Sequence, residues 1–153
     1  MRFWKKISLG CLALLLLSSN TVQEKHWLTF FSKEINLNVN SEFIELVFHI
    51  DPEMHIQANR VKDPNLIPTK ISIDWPAKLE VSPPQYPNYK ILRLKGSEEG
   101  LQVYTGKLLV KYPLGKPTAG VYRIEGDILY QACNEYKCFF PRTLNFSFLL
   151  NIE

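Results

Sequence analysis

Ile44-Glu45-Leu46-Val47-Phe48-His49-Ile50 places apolar side chains at every second position and mostly polar ones between them. Side chains of a strand point alternately to its two faces, so this stretch reads as a strand with one buried face. A helix would need apolar residues three and four apart, and no convincing helical period appears after the first twenty-odd residues. The same alternation precedes it, in Ile35, Leu37 and Val39 with Asn36 and Asn38 between. Further strands are predicted at Met54–Ala58, Lys70–Trp75, Tyr89–Leu94, Val103–Tyr112, Gly120–Ala132 and Leu144–Ile152. Turn chemistry separates them: Asp51-Pro52, Asp63-Pro64-Asn65, Ser82-Pro83-Pro84, Gly96 through Gly100, and Pro113 to Gly120. Roughly seven to nine short strands with regular punctuation predict an all-β sandwich. Ten prolines suit that class better than a helical one.

The chain has 153 residues, which is one domain by size, with 46% apolar residues to fill a core. A net charge of +3 is too mild to point to nucleic acid, and outside the first six residues no Lys/Arg run forms a basic patch. Arg2, Lys5 and Lys6 precede the uncharged stretch Leu9–Leu17, followed by Ser18 and Ser19. That order predicts a cleaved secretory signal peptide over residues 1–22 and a single mature domain over 23–153, the cut falling between Asn20 and Glu24. The apolar stretch is shorter than the roughly 20 residues of a membrane span. Cys11 lies near its start rather than after it, so it is read as part of the discarded segment and not as a lipid anchor.

Without Cys11 two cysteines are left, Cys133 and Cys138, and an even count in an exported chain predicts one disulfide. They are too close in sequence for the inter-sheet disulfide of antibody domains. Asn134-Glu135-Tyr136-Lys137 suits a four-residue hairpin loop, which would set the two cysteines opposite each other. Opposed Cα atoms about 4.5–5.5 Å apart fall inside the range a disulfide accepts. Such a bond closes so short a loop that it adds only roughly 2 kcal/mol of chain-entropy stabilisation. A hairpin tip is also within reach of another protein's thiolate. Lys137 and Arg142 could favour a thiolate there, with Glu135 opposing them. Spacing alone leaves an inert clip and a redox pair equally open.

Three blocks resemble a known family. Tyr130-Gln131-Ala132-Cys133-Asn134, followed by Cys138 and Pro141, is similar to the signature of the N-terminal periplasmic domain of DsbD-type thiol:disulfide interchange proteins, the disulfide bond corrector family. Met54-His55-Ile56-Gln57-Ala58-Asn59 leading to Ile67-Pro68-Thr69 resembles a second block of that family, and Val103-Tyr104-Thr105-Gly106 a third. The resemblance implies an immunoglobulin-like β-sandwich carrying Cys133 and Cys138 as the redox pair on a hairpin, framed by Tyr130-Gln131 and Pro141. It implies a periplasmic electron relay of the thiol:disulfide oxidoreductase type rather than a stand-alone turnover enzyme. Electrons would come from a thioredoxin-like partner and go to disulfide isomerases or to thioredoxins of cytochrome c maturation. The second cysteine, Cys138, would form the mixed disulfide.

The family's best-known members continue into a membrane-embedded electron-transfer domain and a thioredoxin-like domain, so the expected donor here is a separate, membrane-embedded protein. The family also shields its cysteines with a cap loop bearing an aromatic. The corresponding region, Ile91 to Gly100, has none, and Leu92 or Leu94 is expected to cover the sulfurs instead.

His26, His49 and His55 match no zinc spacing, and bonded cysteines bind no metal, so neither metal nor cofactor is expected. No Gly-x-Ser-x-Gly or nucleophile–base pair points to a hydrolase. Asp51, Glu53, Glu98 and Glu99 read as solvated turns, with Glu98 or Glu99 as a lesser candidate for handling protons near the thiols. The expected protein is a monomer that binds no nucleic acid. The rival is a non-redox immunoglobulin-like binding or scaffold module whose disulfide only clips the hairpin.

Overall fold

The computed structural model describes residues 25–153, and the expected signal peptide, with Cys11, lies outside them. Among the described residues there are eleven strands and no helix: β1 (Leu28–Phe30), β2 (Glu34–Leu37), β3 (Phe43–Ile50), β4 (His55–Gln57), β5 (Lys70–Ile73), β6 (Lys90–Arg93), β7 (Gly100–Thr105), β8 (Lys107–Pro113), β9 (Gly120–Tyr130), β10 (Ala132–Cys133) and β11 (Arg142–Ile152). They form three sheets, ordered β1-β3-β8, β2-β11-β9-β5 and β10-β4-β7-β6.

The first two sheets make the expected sandwich. The alternation in β3 puts Ile44, Leu46, Phe48 and Ile50 on the buried face, as the sequence predicts. Leu108, Val110 and Tyr112 of β8 complete that layer. Ile124 and Ile128 of β9 and Phe146, Phe148 and Leu150 of β11 supply the facing one. Aromatic rings join the layers: Phe30 lies 4.5 Å and Phe48 5.4 Å from Phe146, and Trp75 lies 5.3 Å from Tyr112. Each such side chain, fully buried, contributes about 1.5–3 kcal/mol.

The third sheet is fed by three chain crossings. After β3 the chain turns at Asp51–Met54, closed by the Met54 N–H on the Asp51 carbonyl at 2.9 Å, and continues as β4. Its neighbour, predicted as one strand over Val103–Tyr112, is two strands, β7 and β8, that belong to different sheets. Gly106 separates them with φ of 65°, a left-handed conformation that a side chain disfavours. Its carbonyl accepts the Ile50 N–H at 2.7 Å, so both strands bend together. The predicted Gly120–Ala132 strand likewise breaks at Gln131, where β9 leaves the sandwich and β10 enters the third sheet.

Candidate functional site

Three segments singled out in the sequence become three adjacent strands. β4 lies between β10 and β7, with Cys133 opposite His55 and His55 opposite Thr105; Ala132, Ile56 and Tyr104 form the next row. Polar groups of the same blocks tie the loops beside this sheet. The Thr69 hydroxyl donates to the Gln57 carbonyl at 2.5 Å, and the Tyr104 hydroxyl to Asn59 Oδ1 at 2.6 Å.

The hairpin follows from its loop residues. Asn134 Oδ1 accepts the N–H groups of Tyr136 and Lys137, both at 2.9 Å, which closes the four-residue turn. The Asn134 N–H donates to the Lys137 carbonyl at 3.0 Å and the Phe139 N–H to the Ala132 carbonyl at 2.8 Å. Cys133 and Cys138 are thus an opposed pair with no backbone hydrogen bond between them, the position at which antiparallel strands approach most closely. They are bonded as a disulfide, and their Cα atoms are 3.9 Å apart, nearer than the spacing expected from the sequence.

The two sulfur-bearing residues differ in environment. Cys133 is 0% exposed, whereas Cys138 is half-buried and lines an open concavity with Gln131, Lys137, Phe139 and Phe140. Phe140 is 91% exposed at its rim. The outgoing strand is anchored by Phe139, whose ring lies 4.6 Å from Trp27 and whose carbonyl accepts from Gln131 Nε2 at 3.1 Å. Gln131 Oε1 also accepts the Ile67 N–H at 2.9 Å, so this one side chain joins the hairpin to the second sequence block.

Gln57 reaches the disulfide from β4. Its Nε2 donates to Cys133 Sγ at 3.2 Å and lies 3.6 Å from Cys138 Sγ. Sequence reasoning missed this residue as a sulfur partner: it lies 76 positions from Cys133, and its membership of the second block was the available signal. His55, on the same face, is buried with its Nε2 unpartnered, and burial holds its pKa below the usual histidine value. Elsewhere, His26 Nδ1 is 3.3 Å from the Tyr130 hydroxyl and His49 stacks on Phe31.

The charged residues around the hairpin have partners of their own. Arg142 lies over the Trp27 ring, 4.4 Å from its centroid, and donates to the Lys25 carbonyl, while Lys137 Nζ sits 5.3 Å from the Phe139 ring centre. Glu135 is compensated by Lys95, 2.5 Å away, which holds its carboxyl below the usual range and raises the lysine. Lys95 belongs to the segment expected to act as a cap. Its N–H donates to the Glu135 carbonyl at 2.7 Å and its Nζ to the Tyr136 hydroxyl at 3.2 Å. The cap segment therefore meets the hairpin through polar contacts of Lys95, while Leu92 and Leu94 are half-buried. Glu98 and Glu99 are exposed in a turn, where the Glu98 carbonyl accepts from Arg93 and the Glu99 N–H donates to Ser97.

No family model matches the sequence, and no curated protein matches it. Solved structures do resemble the fold. The N-terminal domain of DsbD from Neisseria meningitidis, in its reduced form, is 18% identical over 74% of this chain and 81% of that one, with a TM-score of 0.47. The N-terminal periplasmic domain of ScsB from Proteus mirabilis is 13% identical over 81% of this chain, with a TM-score of 0.49; the match spans 44% of that chain.

Proposed function

We propose that this protein is an extracytoplasmic thiol:disulfide interchange domain that relays electrons between thioredoxin-like partners through Cys133 and Cys138. The observation that carries the reading is the asymmetry of the disulfide: a half-buried Cys138 beside an open concavity, bonded to a fully buried Cys133. Exchange requires a thiolate to reach one sulfur while the other leaves with the electron pair. Cys138 offers the approach, and Cys133 leaves toward the Gln57 amide. The exposed Phe140 flanks the approach as apolar surface for a partner. The resemblance of three sequence blocks to DsbD-type domains supports the same reading. The basic and apolar order of residues 1–22 supports export.

Trapping tests the assignment. Cys133→Ala leaves Cys138 without its internal partner and should accumulate a mixed disulfide with a thioredoxin-like protein in the native envelope. Cys138→Ala should accumulate at least tenfold less, because its sulfur is buried. Equal trapping by both variants would refute the assignment of roles. Failure of both to capture such a partner would leave the disulfide as a clip on a binding module.

A further inference from the structure

The Gln57 side chain is 0% exposed, and one end of its amide is used while the other is not. Nε2 faces both sulfurs, but Oε1 is buried with no hydrogen-bond partner. Buried carbonyl groups are nearly always paired, so an orphan at a reactive centre calls for an explanation. The backbone that carries the amide is fixed, since its strand is the inner one between β10 and β7. The Gln57 N–H is bound to the Gln131 carbonyl at 3.0 Å and its own carbonyl to Thr69. A disulfide has no hydrogen to donate, whereas a thiol has one. The orphan acceptor is therefore unsatisfied in the oxidised state and can be satisfied in the reduced one.

We infer that Gln57 is the built-in polar partner of the reduced cysteine pair and sets its reduction potential. The inference rests on the exchange reading above. A thiolate of the donor dithiol attacks Cys138 Sγ; a donor–Cys138 disulfide forms, the Cys133–Cys138 bond breaks, and its electron pair stays on Cys133 as a thiolate. Gln57 Nε2 donates to that thiolate. The donor's second thiol, losing its proton, then attacks its own sulfur in the mixed disulfide and releases Cys138 as a thiolate. Two electrons have moved from the donor, which leaves as a disulfide, and its two protons complete the Cys133 and Cys138 thiols. An S–H so formed donates to Gln57 Oε1. Gln57 thus favours the reduced pair over the oxidised one and stabilises the leaving sulfur.

The test is the equilibrium of the purified protein with dithiothreitol at fixed pH, wild type against Gln57→Met, which keeps the length and removes both polar ends. The equilibrium constant for reduction should fall at least tenfold, about 30 mV toward more negative potential. The rate of reduction should fall with it. An unchanged or larger constant would overturn the inference. Should that variant not fold, the wild-type protein still decides: the Gln57 side-chain amide resonances should shift between oxidised and reduced protein, and coincident resonances would overturn the inference equally. The small dithiol keeps this separate from the relay itself. A Gln57 effect without capture of a thioredoxin-like partner would refute the relay and leave the role of Gln57 standing; capture without the effect would do the reverse.

Discussion

At the scale of single residues, His55 and Lys95 carry charge relationships that pH can probe. The buried His55 ring has a pKa below its ordinary 6.5, because burial disfavours the imidazolium. The unfolded chain then binds more protons than the folded one below about pH 6.5. The stabilisation is fully present above that pH and is lost as pH falls through the lowered folded value. The urea midpoint of the wild type should therefore drop between about pH 7.5 and pH 5, and His55→Phe should flatten that part of the profile. An identical slope in the variant would show that His55 is not the group responsible. The Lys95–Glu135 pair behaves oppositely at its two ends. It weakens only as acid protonates the lowered Glu135 or as alkali deprotonates the raised Lys95, so it holds across the neutral range.

The cysteines and their loop were legible as single residues, since parity, spacing and turn chemistry are local. Gln57 and Lys95 were not, because each meets the hairpin through tertiary contact across a long sequence separation. The contact that Arg142 makes was not legible either: its guanidinium lies over the Trp27 ring, a residue far away in sequence.

At the scale of elements, the hairpin is held by more than its disulfide. The Phe139 N–H on the Ala132 carbonyl, Gln131 on the Phe139 carbonyl and the Trp27–Phe139 contact involve neither sulfur. Reduction should consequently leave the β signature in circular dichroism intact and cost about 2 kcal/mol in denaturant unfolding, the chain-entropy value for so short a loop. Loss of the fold on reduction would make the bond structural. Element legibility followed the length of the alternation. β3 and β11 were evident from their buried faces, whereas the three residues of β1 are too few to show a period. The single long strand over Val103–Tyr112 failed at Gly106, since alternation records which face is buried but not which sheet a strand joins.

At the scale of the whole molecule, the sandwich holds the core, and the third sheet carries the disulfide. Both sandwich layers are joined to it: in one, β3 continues as β4 and β7 leads into β8, and in the other β9 continues as β10. The site is therefore fastened to both layers, although the β10–β4 ladder pairs only Ala132 with Ile56 and Cys133 with His55. The all-β class was readable from periodicity and the three sequence blocks from resemblance, but their meeting in one sheet as β10, β4 and β7 was not. The crossing of strands between sheets was not readable, because it depends on bends at Gln131, Gly106 and Asp51–Met54 that leave no periodic mark. A domain with so large an apolar core has little need of a clip on one hairpin. On the exchange reading, the Cys133–Cys138 bond exists to be exchanged. Its reduction potential, measured by equilibration with a thioredoxin of known potential, tests this most directly. An exchange pair should lie well above about −300 mV and be readily reduced by the thioredoxin dithiol; a value below about −300 mV, with a bond that resists that dithiol, would mark it as a structural clip.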